Sequence, residues 1–250
     1  MSTYHIPVLL HESVSGLDIK ESGVYVDATL GGGGHTREIL SHLGPKGRLM
    51  VFDRDSDALA NAPKDERVIV VHNNFRYVHH FVQYYGFEGV DGILADLGVS
   101  SHQFDTSERG FSFRFDAPLD MRMNTKSKRD AKAILNEYDE EEIAKLLKLY
   151  GEVDNSRKVA NLICSARAKS PITTTGELTE ALKKVLPPVA EHKFLAKIYQ
   201  ALRIEVNGEM ESLQYFLKGA ERSLKPGGRL SVITYHSLED RMVKNFIKTG

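Results

Sequence analysis

Four short apolar runs set the rhythm of the first hundred residues: VYVDA (24–28), RLMVFD (48–53), RVIVVH (67–72) and GILADL (92–97). Each is continuous in apolarity rather than alternating, which predicts strands buried on both faces, as in a parallel sheet. Between them, HTREILSHLG (35–44), closed by Gly44-Pro45, and FRYVHHFVQYYG (75–86) carry a helical period. Strand and helix in alternation imply right-handed crossovers and a mostly parallel sheet. The rhythm then stops. From Ser100 to about Leu202 helical patterns dominate: DAKAILNEY (130–138), EEEIAKLLKLYG (140–151), SRKVANLICSARAKS (156–170) and TTTGELTEALKKVLP (173–187). In the last of these Thr175 is the expected cap and Pro187 the stop. A helix over 210–224, a turn at KPGG and a fifth strand, RLSVITYH (229–236), follow. The pattern therefore predicts an α/β fold: a Rossmann-like, mostly parallel sheet with an all-helical domain inserted between the fourth and fifth strands. The expected division is 1–104 with 206–250 for the sheet domain and 105–205 for the insertion.

Composition narrows this picture little. The 250 residues are 41% hydrophobic and 27% charged with a formal net charge of −1, so contact with nucleic acid would need a local basic patch. The one cysteine, Cys164, excludes an internal disulfide and is expected to pack in an apolar helical stripe. No apolar run approaches the roughly 20 residues that span a bilayer. The start, MSTYHIPVLLHESV, lacks a basic leader with a long apolar stretch, and the cytoplasm is the expected location. His5, His11, His79 and His80 have no spacing suited to zinc, and no metal is expected.

The strongest local signal is the run of four glycines, 31–34, between the first strand and the first helix. Glycine lets the chain adopt positive φ and lets a ligand approach the backbone. The order strand, glycine loop, helix places the run at the C-terminal edge of a strand, where open α/β sheets bind ligands. Asp53 lies 20 residues after Gly33 and closes the second strand, where a carboxylate can accept hydrogen bonds from ribose hydroxyls. The third position of the dinucleotide fingerprint falls on Thr36, and no G-x-x-x-x-G-K-[ST] is present. A D-A-T-x-G-G-G-G loop with an acid one strand later resembles the cofactor loop of S-adenosylmethionine-dependent methyltransferases.

Five motifs make the resemblance specific: DATLGGGGHT, VFDRD (51–55), ADLGVSSHQFD (95–105), GFSFRFDAPLDMRM (110–123) and SVITYHSLEDRMVK (231–244). Together and in order they resemble the MraW-type 16S ribosomal RNA cytidine N4-methyltransferases over almost the whole chain. The resemblance implies S-adenosylmethionine as cofactor and a cytidine of 16S rRNA in the small ribosomal subunit as target. It implies cofactor contacts at Gly33, Gly34, His35, Asp53, Phe75, Asp96 and Gln103. It also implies a further segment beyond Lys248-Thr249-Gly250, similar to a closing β-hairpin. Target nucleotide and oligomeric state, monomer or homodimer, stay open. So does a different amine acceptor, a DNA base or protein side chain, and a non-catalytic role as an RNA-binding assembly factor.

Cytosine N4 is a poor nucleophile because its lone pair is delocalised into the ring. An acceptor held against its N–H would orient the amine and stabilise the developing charge. Asp96, at the end of the fourth strand, is the candidate catalytic residue; the alternative is a strand-end aspartate that caps the next turn. His236 is expected beside it, at the end of the fifth strand, with no role assigned. In the insertion, Arg109, Arg114, Arg122, Lys126, Lys128, Arg129 and Lys132 interleave with Phe111, Phe113 and Phe115. Such a mixture suits single-stranded RNA, whose bases stack on aromatics. Equally, alternate phenylalanines suit a half-buried extended segment whose charges form a solvated face.

Overall fold

A computed structural model of the chain describes residues 7–249. His5 lies outside them. The chain divides into two compact units, residues 1–100 with 210–250, and residues 101–209.

The first unit holds α1 (Leu10–Ser15), β1 (Val24–Asp27), α2 (Gly34–His42), β2 (Arg48–Asp53), β3 (Val68–His72), α3 (Val78–Tyr84) and β4 (Val90–Asp96). The five-stranded sheet is completed by β5 (Leu224–Ile233), and α11 (Ser237–Thr249) follows it. Strand order is β3-β2-β1-β4-β5 and every pairing is parallel. The crossovers therefore reverse direction between β1 and β4, which opens a crevice at the C-terminal ends of these two strands. One apolar cluster packs on each face: Val26, Met50, Phe52, Ile93 and Ala95 with Val78, Val82, Phe216 and Leu217 on one side. Tyr25, Leu49, Val51 and Leu94 meet Ile39, Leu40 and Leu43 on the other. This two-sided burial is why β1, β2 and β4 read as unbroken apolar runs.

The edge strands depart from that expectation. β3 is an edge, so Val70 is 42% exposed rather than buried. KPGG is not a turn between helix and strand. Leu224 already pairs with Val90, and Arg229 pairs with Gly92, so residues 225–228 bulge out opposite Asp91. Lys225 Nζ reaches the Asp91 carboxylate at 2.8 Å and Gly227 takes φ of 81°.

The second unit is helical. It contains α4 (Ser101–Asp105), α5 (Ala131–Glu137), α6 (Glu140–Gly151), α7 (Ser156–Arg167), α8 (Thr175–Leu182) and α9 (Glu191–Asn207). α6 packs on α7 and α9, burying Ile143, Leu147, Val159, Ile163, Ile198 and Leu202. Its start carries a capping box, with the Asp139 carboxylate accepting from Glu142 N and the Glu142 carboxylate from Asp139 N. In α8 the cap is Thr174, not Thr175: its hydroxyl accepts from Glu177 N, and Glu177 returns the bond to Thr174 N. Thr175 instead donates to Phe115 O at 2.7 Å and is buried. The longest helix of the unit, α9, gave no start signal, since Ala190 precedes it without a side-chain cap. α10 (Glu209–Ser223) follows after Gly208 and leads back to the sheet.

Candidate active site

Asp27, the glycine bend, Asp53 and Asp96 all fall at the C-terminal edge of the sheet. The bend begins where Leu30 N donates to Phe52 O at 2.8 Å. Asp53 then fastens it: Oδ2 accepts from Gly31 N and Oδ1 from Asp55 N, both at 2.9 Å. Burial raises the Asp53 carboxyl above the ordinary value, and these two amides pull it down. The bend's carbonyls are tied outward, Gly31 O to Asn61 Nδ2 at 2.8 Å and Gly32 O to the Arg37 guanidinium at 2.6 Å. Gly33 caps α2 with φ of 75°, and Arg37 N donates to its carbonyl at 3.0 Å. At Gly31, φ is 48° and a Cβ would meet only Thr29 O, 3.9 Å away, so the bend is open on that side.

Gly33 has no such room. A Cβ there would stand 2.8 Å from Asn61 O and 2.9 Å from the Arg37 guanidinium, at a φ that L side chains avoid. Gly33→Ala is expected to lower stability by about 1–3 kcal/mol, read from denaturant unfolding. An unchanged midpoint would show that the left-handed turn is not required.

Asp96 closes β4 and is held from three directions. Its N–H donates to Thr29 Oγ1 at 2.7 Å, its Oδ1 accepts from the Tyr235 hydroxyl at 2.7 Å, and its Oδ2 lies 3.7 Å from His35 Nδ1. His35 is buried on the first turn of α2, with Nε2 3.2 Å from Val8 O. A carbonyl only accepts, so Nε2 donates to it and Nδ1 is the nitrogen that faces Asp96. Beneath them Asp27 is fully buried, accepting from Thr29 N at 3.0 Å and from the Thr36 hydroxyl at 2.5 Å. Burial raises both carboxyls. For Asp96 the Tyr235 hydroxyl and His35 oppose the rise, while Asp27 and Glu239 add to it; for Asp27 the Thr36 hydroxyl opposes it most. A carboxylate of raised basicity that is 23% exposed at a switch point can accept a hydrogen bond or a proton from an incoming group.

Phe75 begins a 3-10 turn (Phe75–Tyr77) just past the end of β3. It is partly buried, edge-on to Phe216 with ring centroids 5.1 Å apart. Gly34 opens α2. Gln103 is buried on α4, in the helical unit. Thus Gly33, Gly34, His35, Asp53 and Asp96 share one edge of the sheet unit, with Phe75 at the neighbouring strand end.

His236 lies beyond the end of β5, which stops at Ile233, and it starts α11. Its Nδ1 is 3.4 Å from Glu239 N and its Nε2 3.2 Å from Glu239 Oε1. Glu239, buried, also accepts from Tyr235 N at 2.9 Å. His236 is thus part of the helix start that fixes Tyr235. Sequence reasoning passed over Tyr235, Thr29 and Asp27. A carboxylate inside the apolar run VYVDA was the one signal on offer.

In the helical unit the basic cluster divides. Arg109 is buried and donates to Arg122 O and Met123 O at 2.9 and 3.3 Å. Arg122 grips Asp120 at 2.8 and 2.6 Å and also donates to Ser127 O. Lys132 pairs with Asp130 at 3.2 Å, and Arg129 donates to the Tyr138 hydroxyl beside Glu205. Phe111 is buried and Phe113 packs on His192 and Tyr199, so both anchor the loop. Phe115 is 63% exposed, flanked by exposed Arg114, with Lys126 and Lys128 also at the surface. Cys164 is half-buried, and burial raises its thiol. Among the described residues no helix is long and apolar enough to cross a membrane.

Comparison with known proteins meets this geometry. The MraW methylase family profile matches residues 2–250. A protein of Flavobacterium johnsoniae named "Ribosomal RNA small subunit methyltransferase H" is 58% identical over 247 residues, 99% of this chain and 82% of that one. One of the same name from Bacteroides fragilis is 58% identical over 249 residues, with 100% and 82% covered. Among solved structures, a putative rRNA-methylase from Clostridium thermocellum aligns with 38% of this chain and 54% of its own at 27% identity. Its TM-score is 0.33. The glycine bend, the acid closing β2, the acid closing β4 and a match that runs from residue 2 to residue 250 agree: this chain belongs to the MraW methylase family.

Proposed function

We propose that the chain methylates the exocyclic N4 of a cytidine in 16S rRNA of the small ribosomal subunit, with S-adenosylmethionine as methyl donor. One observation carries the reading. A carboxylate whose basicity is raised by burial stands at the switch point of the sheet, one strand from a glycine bend clamped by a second acid. That its relatives bear the name of a small-subunit rRNA methyltransferase supplies the substrate class.

The residues fit the cofactor. Gly31 leaves the bend open where a side chain would intrude. Asp53 uses one lone pair of Oδ2 on Gly31 N and one of Oδ1 on Asp55 N, and keeps others for ribose hydroxyls. Gly33, Gly34 and His35 would line the bend, and Phe75 would offer an aromatic flank. When bound, the cofactor supplies an electrophilic methyl on a sulfonium.

The chain's own part is orientation and charge. Asp96 would accept a hydrogen bond from the amine, turn its lone pair outward, and stabilise the positive charge that develops on the nitrogen as it becomes tetrahedral. Shielding beneath the strand ends keeps that interaction strong. The exposed Phe115, Arg114, Lys126 and Lys128 are the residues with which the helical unit would hold single-stranded RNA. The target base must leave its stack to reach Asp96.

Labelled methyl transfer to small subunits, RNA, DNA and protein tests the reading. Label on cytidine N4 of 16S rRNA is expected; label confined to DNA or protein, or none at all, would replace it. Binding is checked separately by thermal unfolding. A cofactor that binds only the folded chain adds about 2.7 kcal/mol at a 100-fold excess over Kd.

A further inference from the structure

We propose that Tyr235 is the positioning residue for the acceptor: its phenol locks Oδ1 of Asp96 and thereby presents Oδ2 to the substrate amine. The inference rests on the amine-methylating reading given above. The two residues are brought together by register rather than by sequence spacing. β4 and β5 pair Asp96 with Ile233, and Leu97 N donates to Ile233 O at 3.0 Å, so the chain leaving β5 passes beside the end of β4. Two residues on, Tyr235 donates its hydroxyl to Asp96 Oδ1 at 2.7 Å.

The tyrosine is itself fixed at both ends. Its backbone N–H is held by the buried Glu239 carboxylate at 2.9 Å. Its ring lies on Gly98, where φ is 103° and an added Cβ would sit 3.1 Å from ring carbon Cδ2. Gly98 thus leaves the room that brings the ring down onto the D-L-G turn. Although the residue is 52% exposed, its hydroxyl is engaged by the carboxylate.

A carboxylate with one oxygen engaged and its N–H anchored to Thr29 Oγ1 has little freedom to swing. The remaining oxygen, Oδ2, points toward the bend, 3.7 Å from His35 Nδ1. A fixed acceptor selects one approach for the amine, and such orientation is what an in-line transfer requires. The phenol itself does not give up its proton, because burial and the Asp96 carboxylate both raise it above the ordinary tyrosine value.

The groups that face Asp96 are Tyr235, His35 from α2, Asp27 from β1 and Glu239 from α11. Of these, Tyr235 and His35 favour the ionised acid, whereas Asp27 and Glu239 oppose it. Removing the phenol therefore moves the Asp96 titration upward.

Tyr235→Phe keeps the ring and removes the hydroxyl. We expect kcat to fall roughly ten- to a hundredfold with KM for S-adenosylmethionine unchanged. The acid limb of the kcat profile should move toward neutral pH. A second reading does not depend on turnover: the Asp96 carboxyl carbon, assigned by its loss in Asp96→Asn, is followed by NMR titration in the protein alone. An upward shift in Tyr235→Phe supports the proposal even if the methyl acceptor proves not to be RNA. If the titration and the acid limb stay in place, Tyr235 is not the positioning residue, whatever the substrate. If the titration shifts but kcat is unchanged, the hydrogen bond exists and the catalytic role is overturned.

Discussion

Asp96→Asn should abolish most methyl transfer while leaving the cofactor bound. Asparagine has the shape of aspartate and keeps an oxygen for the Tyr235 hydroxyl and a backbone N–H for Thr29, so the end of β4 is expected to hold its place. What is lost is the negative charge that faces the amine. Removing a positioned acid–base group costs typically about 10²- to 10⁴-fold in rate. The loss should appear in kcat, with KM for S-adenosylmethionine changed only a few-fold, because the bend and Asp53 are untouched. The pH profile gives the sign. Asp96 works as the carboxylate, and burial raises its folded value above 3.8, so wild-type kcat should fall on acidification with a midpoint above that value. The substituted amide cannot titrate, and the variant's residual rate should lack that limb. Single-turnover transfer across pH, beside cofactor affinity by calorimetry, measures both. A variant that transfers methyl at the wild-type rate would reduce Asp96 to a strand-end cap.

How far the sequence could be read depends on whether a feature is written in neighbours or in register. The bend and Asp53 are local: a glycine run after an apolar strand and an acid closing the next one state their geometry within a single β-α-β unit. Their positions could be read directly, and only the details, Asn61 and Arg37 on the bend's carbonyls, were hidden. Tyr235 was invisible because 139 residues separate it from Asp96 and only the β4–β5 register joins them. His236 drew attention instead, as titratable residues in a motif do, yet its contacts are with the start of α11. Edge strands misled for a related reason, since position in the sheet order decides whether an apolar run is covered. The basic residues of the insertion were ambiguous for a different one. Arg109 and Arg122 look like phosphate ligands in sequence, but backbone carbonyls and Asp120 claim them once the loop is closed.

That loop sets the second large effect. Gly110→Ala should destabilise the helical unit by about 3–5 kcal/mol, the sum of left-handed strain and overpacking against atoms that cannot yield. Gly110 has φ of 69°, and an added Cβ would stand 2.2 Å from Pro118 O and 2.8 Å from Asp120 N. Both are backbone, so no side chain can turn aside. The strip they belong to is where the unit is stitched together. Leu119 N donates to Thr173 O, Met121 N to Arg109 O, Ala131 N to Asp120 O and Lys132 N to Leu119 O, at 2.9, 2.9, 2.9 and 3.0 Å. Leu119 and Met121 are wholly buried between those bonds. Moving the strip by the ångström that a methyl needs would stretch several bonds at once. Gly208 provides the control. Its φ of 57° is equally left-handed, but an added Cβ would meet nothing within 4 Å, so Gly208→Ala should cost only about 1–2 kcal/mol of strain. Denaturant unfolding of the two variants beside the wild type separates sterics from backbone conformation. Equal losses at both positions would mean that the left-handed turn alone sets the cost, and that the strip can give way without disturbing the helices it joins.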